Sequence, residues 1–342
     1  MTHVYVGMSG GVDSSLAAAL LVEQGYKVTG VYMRNWSQDL PGLKCPWADD
    51  LADAKRVAVQ LGIDFKVFDF EQQYRDKVVQ YMISEYQLGR TPNPDIMCNQ
   101  EVKFKLFLET SLEDGADLIA TGHYARVIQG KLLKAKDEAK DQTYFLYRVT
   151  AEALNKTMFP LGDYTKQEVR EMAKARGLYT ASKKESMGVC FVGQVGMRDF
   201  LAQYVVTRPG DIIDKSSGQK IGRHDGAIFY TIGQRHGLEV GGGLPYYVVG
   251  KNMNNNEVYV SQNMNDEAMW RTEIDLQSIH WINGAPVGSD NLHVRLRHRG
   301  KLLNARLDDA KLILREQERA VAPGQSAVIY AGDECLGGGI VA

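Results

Sequence analysis

The first residues of the chain combine three features that together restrict the folds open to it. Residues 4–8 form a short apolar run, which predicts a buried strand. Ser9, Gly10 and Gly11 then interrupt the run with residues that tolerate unusual backbone angles. Val12 and Leu16, four residues apart, indicate that a helix follows at once. A strand, a glycine loop and a helix N-terminus together predict an anion site, because free N–H groups and the positive end of the helix dipole point to one place.

The loop sequence narrows the type of site. No Lys follows the glycines, as a P-loop requires, and the G-x-G-x-x-G spacing of a dinucleotide fold is absent. The pattern S-G-G-V-D-S resembles the pyrophosphate loop of the ATP pyrophosphatase (PP-loop) superfamily, whose members split ATP between the α and β phosphates. The alternative is a tight turn that binds no nucleotide. The resemblance implies that ATP is bound by Gly7, Met8, Ser9, Gly10, Gly11, Val12, Asp13 and Ser14, and that Asp13 helps to hold Mg²⁺.

Alternating strand and helix patterns continue to about residue 121. Strands are predicted over 27–33, 65–70 and 117–121, and helices over 49–61 and 71–88. This order predicts an α/β domain with a doubly wound parallel sheet, in which ligands lie beyond the carboxyl ends of the strands. Gly122 and His123 would then lie beside the glycine loop, and Met33 would line an adenine pocket. Plain core packing is the alternative for Met33.

The second half of the chain has a different pattern. After an amphipathic helix predicted over 165–178, whose Thr165 and Glu168 fit a capping box, the sequence becomes rich in glycine and in short strand-like pieces. These pieces are residues 211–221, 227–232, 246–251, 257–261, 292–299, 301–307 and 326–330. We therefore expect a PP-loop domain over 1–195, a small β-rich central domain over 196–262 and a C-terminal β-barrel over 263–342.

Composition excludes several other classes. The 342 residues carry a net charge of −2, so contact with nucleic acid requires a local basic patch. The four cysteines lack the close paired spacing of a disulfide scaffold or zinc site, so no structural metal is expected and a cytoplasmic protein with reduced thiols fits best. No apolar run is long enough to span a membrane, and no signal peptide is recognisable.

Two cysteines occur in settings that favour chemistry. Residues 91–99 contain two prolines, which predict a rigid loop between helices that presents Asn93, Asp95 and Cys98. Cys190 is flanked by glycines and preceded by Lys183 and Lys184, which would favour its reactive thiolate. The alternative for both thiols is a small buried hydrophobe. Cys45 and Cys335 lack such settings, and we interpret them as structural.

Seven motifs, taken in order, resemble the tRNA-specific 2-thiouridylase family over essentially the whole chain. They are S-G-G-V-D-S, T-P-N-P-D-I-M-C-N, A-T-G-H-Y-A-R, D-Q-T-Y-F-L, S-M-G-V-C-F-V-G, Y-T-I-G-Q-R-H-G-L and E-C-L-G-G-G-I. The resemblance implies a tRNA sulfurtransferase that uses ATP to adenylate the C2 oxygen of the wobble uridine. Persulfide sulfur then replaces that oxygen, giving 2-thiouridine, AMP and pyrophosphate.

The resemblance also implies roles for individual residues. Cys98 is the nucleophile, Cys190 the persulfide carrier and Asp95 the general acid/base, and the two cysteines form a transient disulfide. Cys98 either attacks C2 first or reduces the persulfide, and the sequence leaves both routes open. The residues implied at the target base and tRNA are Asn93, Pro94, Asp95, His123, Lys140, Asp141, Gln142, Leu296, Arg297 and Gln325.

The implied partners are tRNAs for Lys, Glu and Gln and a sulfur-donor protein, which is either a cysteine desulfurase or a sulfur-relay protein. The protein itself is expected to be a monomer. Strand alternation would place Arg295, Arg297 and Arg299 on one face as a phosphate-binding stripe, with a solvated strand face as the alternative. Tyr124 is a candidate to stack beneath a flipped base.

Two rival functions follow from the same residues. Another adenylating member of the superfamily would not need two positioned cysteines. A nucleotide-sensing or tRNA-binding module without catalysis would leave Asp95, Cys98 and Cys190 without roles.

Overall fold

A computed structural model describes residues 1–39, 45–184, 196–241, 243–288 and 291–342. The N-terminal part is a parallel sheet with strand order β3-β2-β1-β4-β7. Its strands are β1 His3–Gly7, β2 Lys27–Arg34, β3 Asp64–Asp69, β4 Leu118–Thr121 and β7 Thr157–Met158. Gly7 at the end of β1 pairs with Val31 and with Thr121, the last residue of β4. The glycine loop and Gly122 therefore leave the sheet at the same edge.

Helices cover both faces of this sheet. The α-helices of the described residues are α1 Val12–Glu23, α2 Trp47–Leu61, α3 Glu71–Tyr74, α4 Gln80–Gln87, α5 Pro94–Met97, α6 Phe107–Glu113, α7 Thr143–Leu146, α8 Ala151–Asn155, α9 Lys166–Ala175 and α10 Met197–Leu201. α1 is buried on two sides, because Leu16 packs against α9 whereas Ala18 and Leu21 face the sheet. This arrangement confirms the predicted doubly wound fold.

One predicted helix is not a regular α-helix. A π-helical segment, Arg75–Val79, joins α3 to α4 within the stretch predicted as one helix over 71–88. Tyr74, Val78 and Met82 are buried, whereas Tyr81 is only half-buried. The wider π turn shifts the register, so a strict spacing of 3.6 residues does not predict which side chains face inward.

The central region is a small sheet of order β10-β11-β8-β9. Its strands are β8 Gly210–Asp214, β9 Lys220–His224, β10 Tyr247–Asn252 and β11 Glu257–Ser261. The piece predicted over 211–221 is thus the hairpin β8–β9. The strand predicted over 227–232 is wrong, because Ala227–Phe229 is a 3₁₀-helix. It buries Ala227 in the core of the central sheet and Ile228 in the large core that includes the N-terminal sheet.

The C-terminal region is a closed six-stranded barrel, as predicted. Its order is β12-β15-β14-β13-β16-β17, and β12 pairs with β17 to close it. The strands are β12 Trp270–Trp281, β13 Leu292–Arg295, β14 Leu303–Asp308, β15 Lys311–Arg319, β16 Ser326–Ala331 and β17 Glu334–Val341. The strands of the hairpin β5 Arg126–Ile128 and β6 Lys131–Leu133 extend this sheet from β17, joining the barrel to the N-terminal domain. No helix in the described ranges is both long and apolar enough to cross a membrane.

Sequence patterns did not predict three of the barrel strands. β12 and β15 carry many charged residues, and β17 contains three consecutive glycines, which are poor strand formers. The glycines are needed because backbone atoms of the neighbouring strands approach β17 closely. A Cβ on Gly338 would lie 2.2 Å from the Ala327 carbonyl oxygen and 3.0 Å from the Val328 Cα.

We expect Gly338→Ala to destabilise the barrel by about 1–3 kcal/mol, because the added methyl group meets backbone that cannot move aside cheaply. The control is Gly241→Ala, whose added Cβ would meet nothing within 4 Å, and it should change stability by less than about 0.5 kcal/mol. Urea unfolding followed by circular dichroism measures both. Equal midpoints for Gly338→Ala and wild type would contradict the packing argument.

Candidate nucleotide and thiolation site

The glycine loop is folded back on the start of α1. Gly10 has φ +73°, and a Cβ there would lie 2.3 Å from the Asp50 carbonyl oxygen, so only glycine fits. Ser14 Oγ accepts a hydrogen bond from the Ser9 N–H at 3.1 Å and donates one to the Gly11 carbonyl at 3.2 Å. Gly11, the N-cap, contributes no side-chain cap. The first-turn N–H groups of α1 therefore suit a phosphate, and the residues present fit a nucleotide.

Gly122 lies against this loop, as the topology predicts. A Cβ on Gly122 would be 2.7 Å from the Ser14 nitrogen and 2.8 Å from the Asp13 carbonyl carbon. Met33, half-buried at the end of β2, has its Cε 3.0 Å from where a Cβ of Gly7 would stand. Both interpretations of Met33 remain, because it packs on β1 and also lies at the ligand edge. The ATP contacts of Met8, Val12 and the other loop residues stay predictions.

Asp13 is engaged by two side chains that sequence reasoning did not place there. Lys166 Nζ lies 2.7 and 2.8 Å from its two carboxylate oxygens, and the Tyr124 hydroxyl donates to Oδ1 at 2.9 Å. The Tyr124 ring is only 3% exposed in this structure, and its stacking beneath a flipped base stays a prediction. The carboxylate oxygens of Asp13 suit Mg²⁺, which would replace Lys166 as their cation.

The two prolines predict a loop over 91–99, but most of this stretch is helical in the structure. Only residues 91–93 precede α5, in which Pro94 takes the first helical position, where its missing N–H costs nothing. Asn93 is the N-cap, and its side chain accepts a hydrogen bond from the Asp95 N–H at 3.1 Å. The π-helical segment Cys98–Leu106 continues α5 directly. Asp95 and Cys98 are therefore held on a helix.

Asp95 and His123 share one electrostatic environment. Burial raises the pKa of Asp95 above its ordinary value, and the Lys103 ammonium opposes this in part. Burial, and secondarily Lys103, lowers the pKa of His123 well below its ordinary value, so the imidazole is neutral. His123 Nδ1 is 2.8 Å from Thr121 Oγ1, and its ring centroid lies 5.5 Å from that of Phe104. Lys103, which lies on the helical segment that continues α5, was not singled out from the sequence.

The described cysteines differ in setting. Cys98 is only 2% exposed, and the next residue, Asn99, donates from Nδ2 to the Phe145 carbonyl at 3.0 Å. Cys190 lies outside the described residues. Lys183, expected to favour its thiolate, is instead paired with Asp50 and Asp53 at 2.8 and 2.7 Å.

The other two thiols fit the structural interpretation. Cys335 is 1% exposed, and burial raises its pKa strongly. Cys45 is half-buried, and burial raises its pKa as well. Raised thiol pKa values disfavour the reactive thiolate.

The predicted arginine stripe does not exist. β13 ends at Arg295, and Arg299 has φ +59° in a turn, so strand alternation does not extend across these residues. The Arg295 side chain is 11% exposed and pairs with Asp141 at 3.1 Å, whereas that of Arg297 is 57% exposed and pairs with Glu318 at 2.9 Å. Arg297 and Arg299 are the exposed members of the three, and Arg297 also lines the cleft described next.

Several residues implied at the tRNA gather in two places. Leu296, Arg297 and Gln325 line a cleft of about 330 Å³ between the barrel and residues 231–233 of the central region. Gln325 Nε2 also donates to the Thr91 carbonyl at 2.6 Å, which brings this cleft next to Asn93 and Pro94.

The second place is the segment before α7. Gln142 Oε1 accepts from the Tyr124 N–H at 2.8 Å, and Lys140 is half-buried beside it in sequence. Asp141 is 2% exposed, and Arg295 and Thr143 occupy its carboxylate. The structure thus makes Asp141 an internal counter-ion, and its contact with tRNA stays a prediction.

We expect Asp95→Asn to raise the melting temperature at pH 7.5 while lowering the tRNA thiolation activity that the resemblance implies by at least about 100-fold. Burial raises the pKa of Asp95 in the folded chain, so its ionisation opposes folding, and that cost appears as pH rises above the ordinary value of 3.8. The stabilisation should therefore shrink as pH falls toward 4. Thermal scans at both pH values test this, with exposed Asp64→Asn as control. A lower melting temperature for Asp95→Asn at pH 7.5 would contradict the burial argument.

Three family models match consecutive parts of the chain. The tRNA methyl transferase HUP domain matches residues 2–194, the tRNA methyl transferase PRC-barrel domain matches residues 198–262, and the aminomethyltransferase beta-barrel domain matches residues 271–341. These models account for all three folded regions described above.

Among solved structures, a complex of a 4-thiouridine synthetase with RNA and bound ATP is 19% identical, with a TM-score of 0.39 over 60% of this chain and 50% of that one. A predicted tRNA methyltransferase subunit from Methanocaldococcus jannaschii is 20% identical, with a TM-score of 0.35 over 51% of this chain and 75% of that one. Scores this low support no functional statement.

Curated relatives are much closer in sequence. The tRNA-specific 2-thiouridylase MnmA of Bacillus subtilis (strain 168) is 46% identical over 352 residues, covering 99% of this chain and 95% of that protein. The enzyme of the same name from Bacillus licheniformis is 46% identical over 353 residues with the same coverage. This identity over nearly the full length, together with the matching domain models, means that the chain belongs to the tRNA-specific 2-thiouridylase family.

Proposed function

We propose that this chain is a tRNA-uridine 2-sulfurtransferase, which adenylates the C2 oxygen of the wobble uridine with ATP and then replaces that oxygen with sulfur. The full-length identity of 46% to enzymes named tRNA-specific 2-thiouridylase is the observation that carries the proposal. The geometry supports it, since the glycine loop, Gly122 and His123 meet at one edge of the sheet, beside the helix that bears Asp95 and Cys98.

The nucleotide half of the site performs activation. The C2 oxygen of uridine is a poor leaving group, and its adenylation lets it depart as part of AMP. The N–H groups at the start of α1 suit the pyrophosphate that forms at the same time. Mg²⁺ bound with ATP would neutralise phosphate charge, and Asp13 is the carboxylate at the loop that would hold it.

The sulfur half requires two thiols. A persulfide on Cys190 attacks C2 with its outer sulfur, and AMP departs. Cys98 then attacks the inner Cys190 sulfur, closing a disulfide and leaving the outer sulfur on the base. Alternatively, Cys98 attacks C2 first and expels AMP, the outer persulfide sulfur then displaces Cys98 from C2, and the freed Cys98 thiolate closes the same disulfide. In either route Asp95, whose pKa burial raises, can move a proton near the reacting atoms, and neutral His123 adds no competing charge.

The substrates and partners follow from this reaction. The RNA substrates are wobble-uridine tRNAs for Lys, Glu and Gln, and a cysteine desulfurase or a sulfur-relay protein supplies the persulfide. We further propose that the enzyme acts in the cytoplasm as a monomer. The residues implied at the tRNA are those of the two groups around Gln325 and Gln142, together with Asn93, Pro94 and His123.

Thiolation is tested directly by incubating the protein with ATP, Mg²⁺, a persulfide donor and unmodified tRNA, followed by mass spectrometry of the nucleosides. We expect 2-thiouridine with wild type and none with Cys98→Ser or Cys190→Ser, because serine cannot carry or accept persulfide sulfur. Cys45→Ser is the matched control and should retain activity. Absence of 2-thiouridine with wild type and an active donor would refute the function, whereas activity of one serine variant would refute only that cysteine's role.

Arg297→Ala should weaken binding of all substrate tRNAs severalfold and reduce the slope of log affinity against log salt concentration by about 1, because it removes one phosphate contact. Filter binding at several salt concentrations measures both. Arg271→Ala, an exposed arginine at the start of β12, provides the control. An unchanged salt slope would mean that Arg297 serves only as the partner of Glu318.

A further inference from the structure

Lys166 is a cation in the nucleotide site with no role assigned so far. Its ammonium bridges both oxygens of Asp13 and lies 5.7 Å from the centroid of the Tyr124 ring. The Lys166 side chain is 13% exposed, whereas that of Asp13 is 31% exposed. The pair therefore lies at the surface of the glycine loop with the lysine on its inner side.

The position of Lys166 is unfavourable for a purely structural lysine. It is the first residue of α9, where the helix dipole disfavours a positive charge. The helix start is nevertheless fixed firmly, by the capping box of Thr165 and Glu168 and by the Lys166 N–H, which donates to Asp137 at 2.8 Å. A residue that breaks a local rule on a rigid element is characteristic of a functional site.

The glycine loop itself supplies no cation. The first 26 residues contain neither Lys nor Arg, unlike a P-loop, which carries its own lysine. The loop does carry Asp13, whose negative charge would repel a triphosphate. A cation must therefore come from elsewhere in the chain, and the Lys166 ammonium already lies at the loop.

We propose that Lys166 is a phosphate-binding residue that stabilises the pyrophosphate part of ATP. In the free protein it neutralises Asp13. With Mg²⁺ and nucleotide bound, Asp13 would serve as a ligand of the metal, and the Lys166 ammonium would pair with the β and γ phosphates. This inference rests on the proposed use of ATP. A lysine acting only as a counter-ion of Asp13 would affect nucleotide binding solely through that carboxylate.

Titration calorimetry with Mg²⁺-pyrophosphate, Mg²⁺-ATP and AMP tests the proposal. Lys166→Met should weaken pyrophosphate and ATP binding by about 10- to 100-fold, the loss expected for a charge-assisted contact, and leave AMP binding within about twofold. Lys174→Met, at the exposed end of the same helix, is the control and should bind all three ligands as wild type does.

A second comparison separates direct contact from charge neutralisation and avoids leaving Asp13 unpaired. Asp13→Asn removes the carboxylate, so a lysine that merely neutralises it becomes dispensable. We expect the double variant Asp13→Asn/Lys166→Met to bind pyrophosphate at least about tenfold more weakly than Asp13→Asn alone. Equal affinities, or an equal loss for AMP, would overturn the inference. Failure of wild type to bind ATP would instead refute the proposed function.

Discussion

Hydrogen bonds to Thr91 connect the barrel and the central region to the start of α5 in the N-terminal region. The Thr91 N–H donates to the Pro323 carbonyl at 2.8 Å, and its carbonyl accepts from Gln325 at 2.6 Å, so the barrel takes both of its backbone groups. Its hydroxyl lies 3.0 Å from that of Thr231 in the central region. Three residues later Pro94 begins α5, so the position of the barrel fixes the start of the helix that carries Asp95 and Cys98. We infer that an RNA bound at the barrel would thereby be held in register with Asp95 and Cys98.

Two carboxylates serve this site under opposite electrostatic conditions. Asp13 is partly exposed and paired with a cation, which suits a group that must stay ionised to meet a metal. Asp95 is buried enough for its pKa to rise, which suits a group that exchanges a proton. Their environments follow from their elements, since Asp13 stands in the exposed first turn of α1 and Asp95 lies within the packed start of α5. Separation of the two roles therefore depends on the fold rather than on residue type.

The glycine loop and the sheet edge were predictable because their signals are local. The residues S-G-G, followed by apolar residues four apart, predict a turn and then a helix. The parallel pairing of β1 with β4 then places Gly122 at the same sheet edge as the glycine loop. Lys166 was not predictable, because it reaches the site through the packing of α9 against α1, two elements distant in sequence. Lys103 was not predictable because its position near Asp95 depends on the π-helical segment Cys98–Leu106, which sequence patterns do not reveal. The arginine stripe failed for a related reason. Strand alternation was extended past Arg295, where the chain already turns.

The location of Cys98 constrains how the reaction can proceed. At 2% exposure inside a helix, its thiol meets neither a base nor a persulfide until its surroundings move. The helix around it is of the π form over Cys98–Leu106, a wider and less stable turn that proteins use chiefly at functional sites. Local rearrangement there costs less than disrupting a regular α-helix would. The burial also keeps the thiol away from oxidants between reactions. If Cys98 takes part in sulfur transfer as proposed, substrate binding must supply the energy to expose it, which would link thiol chemistry to the presence of the correct RNA.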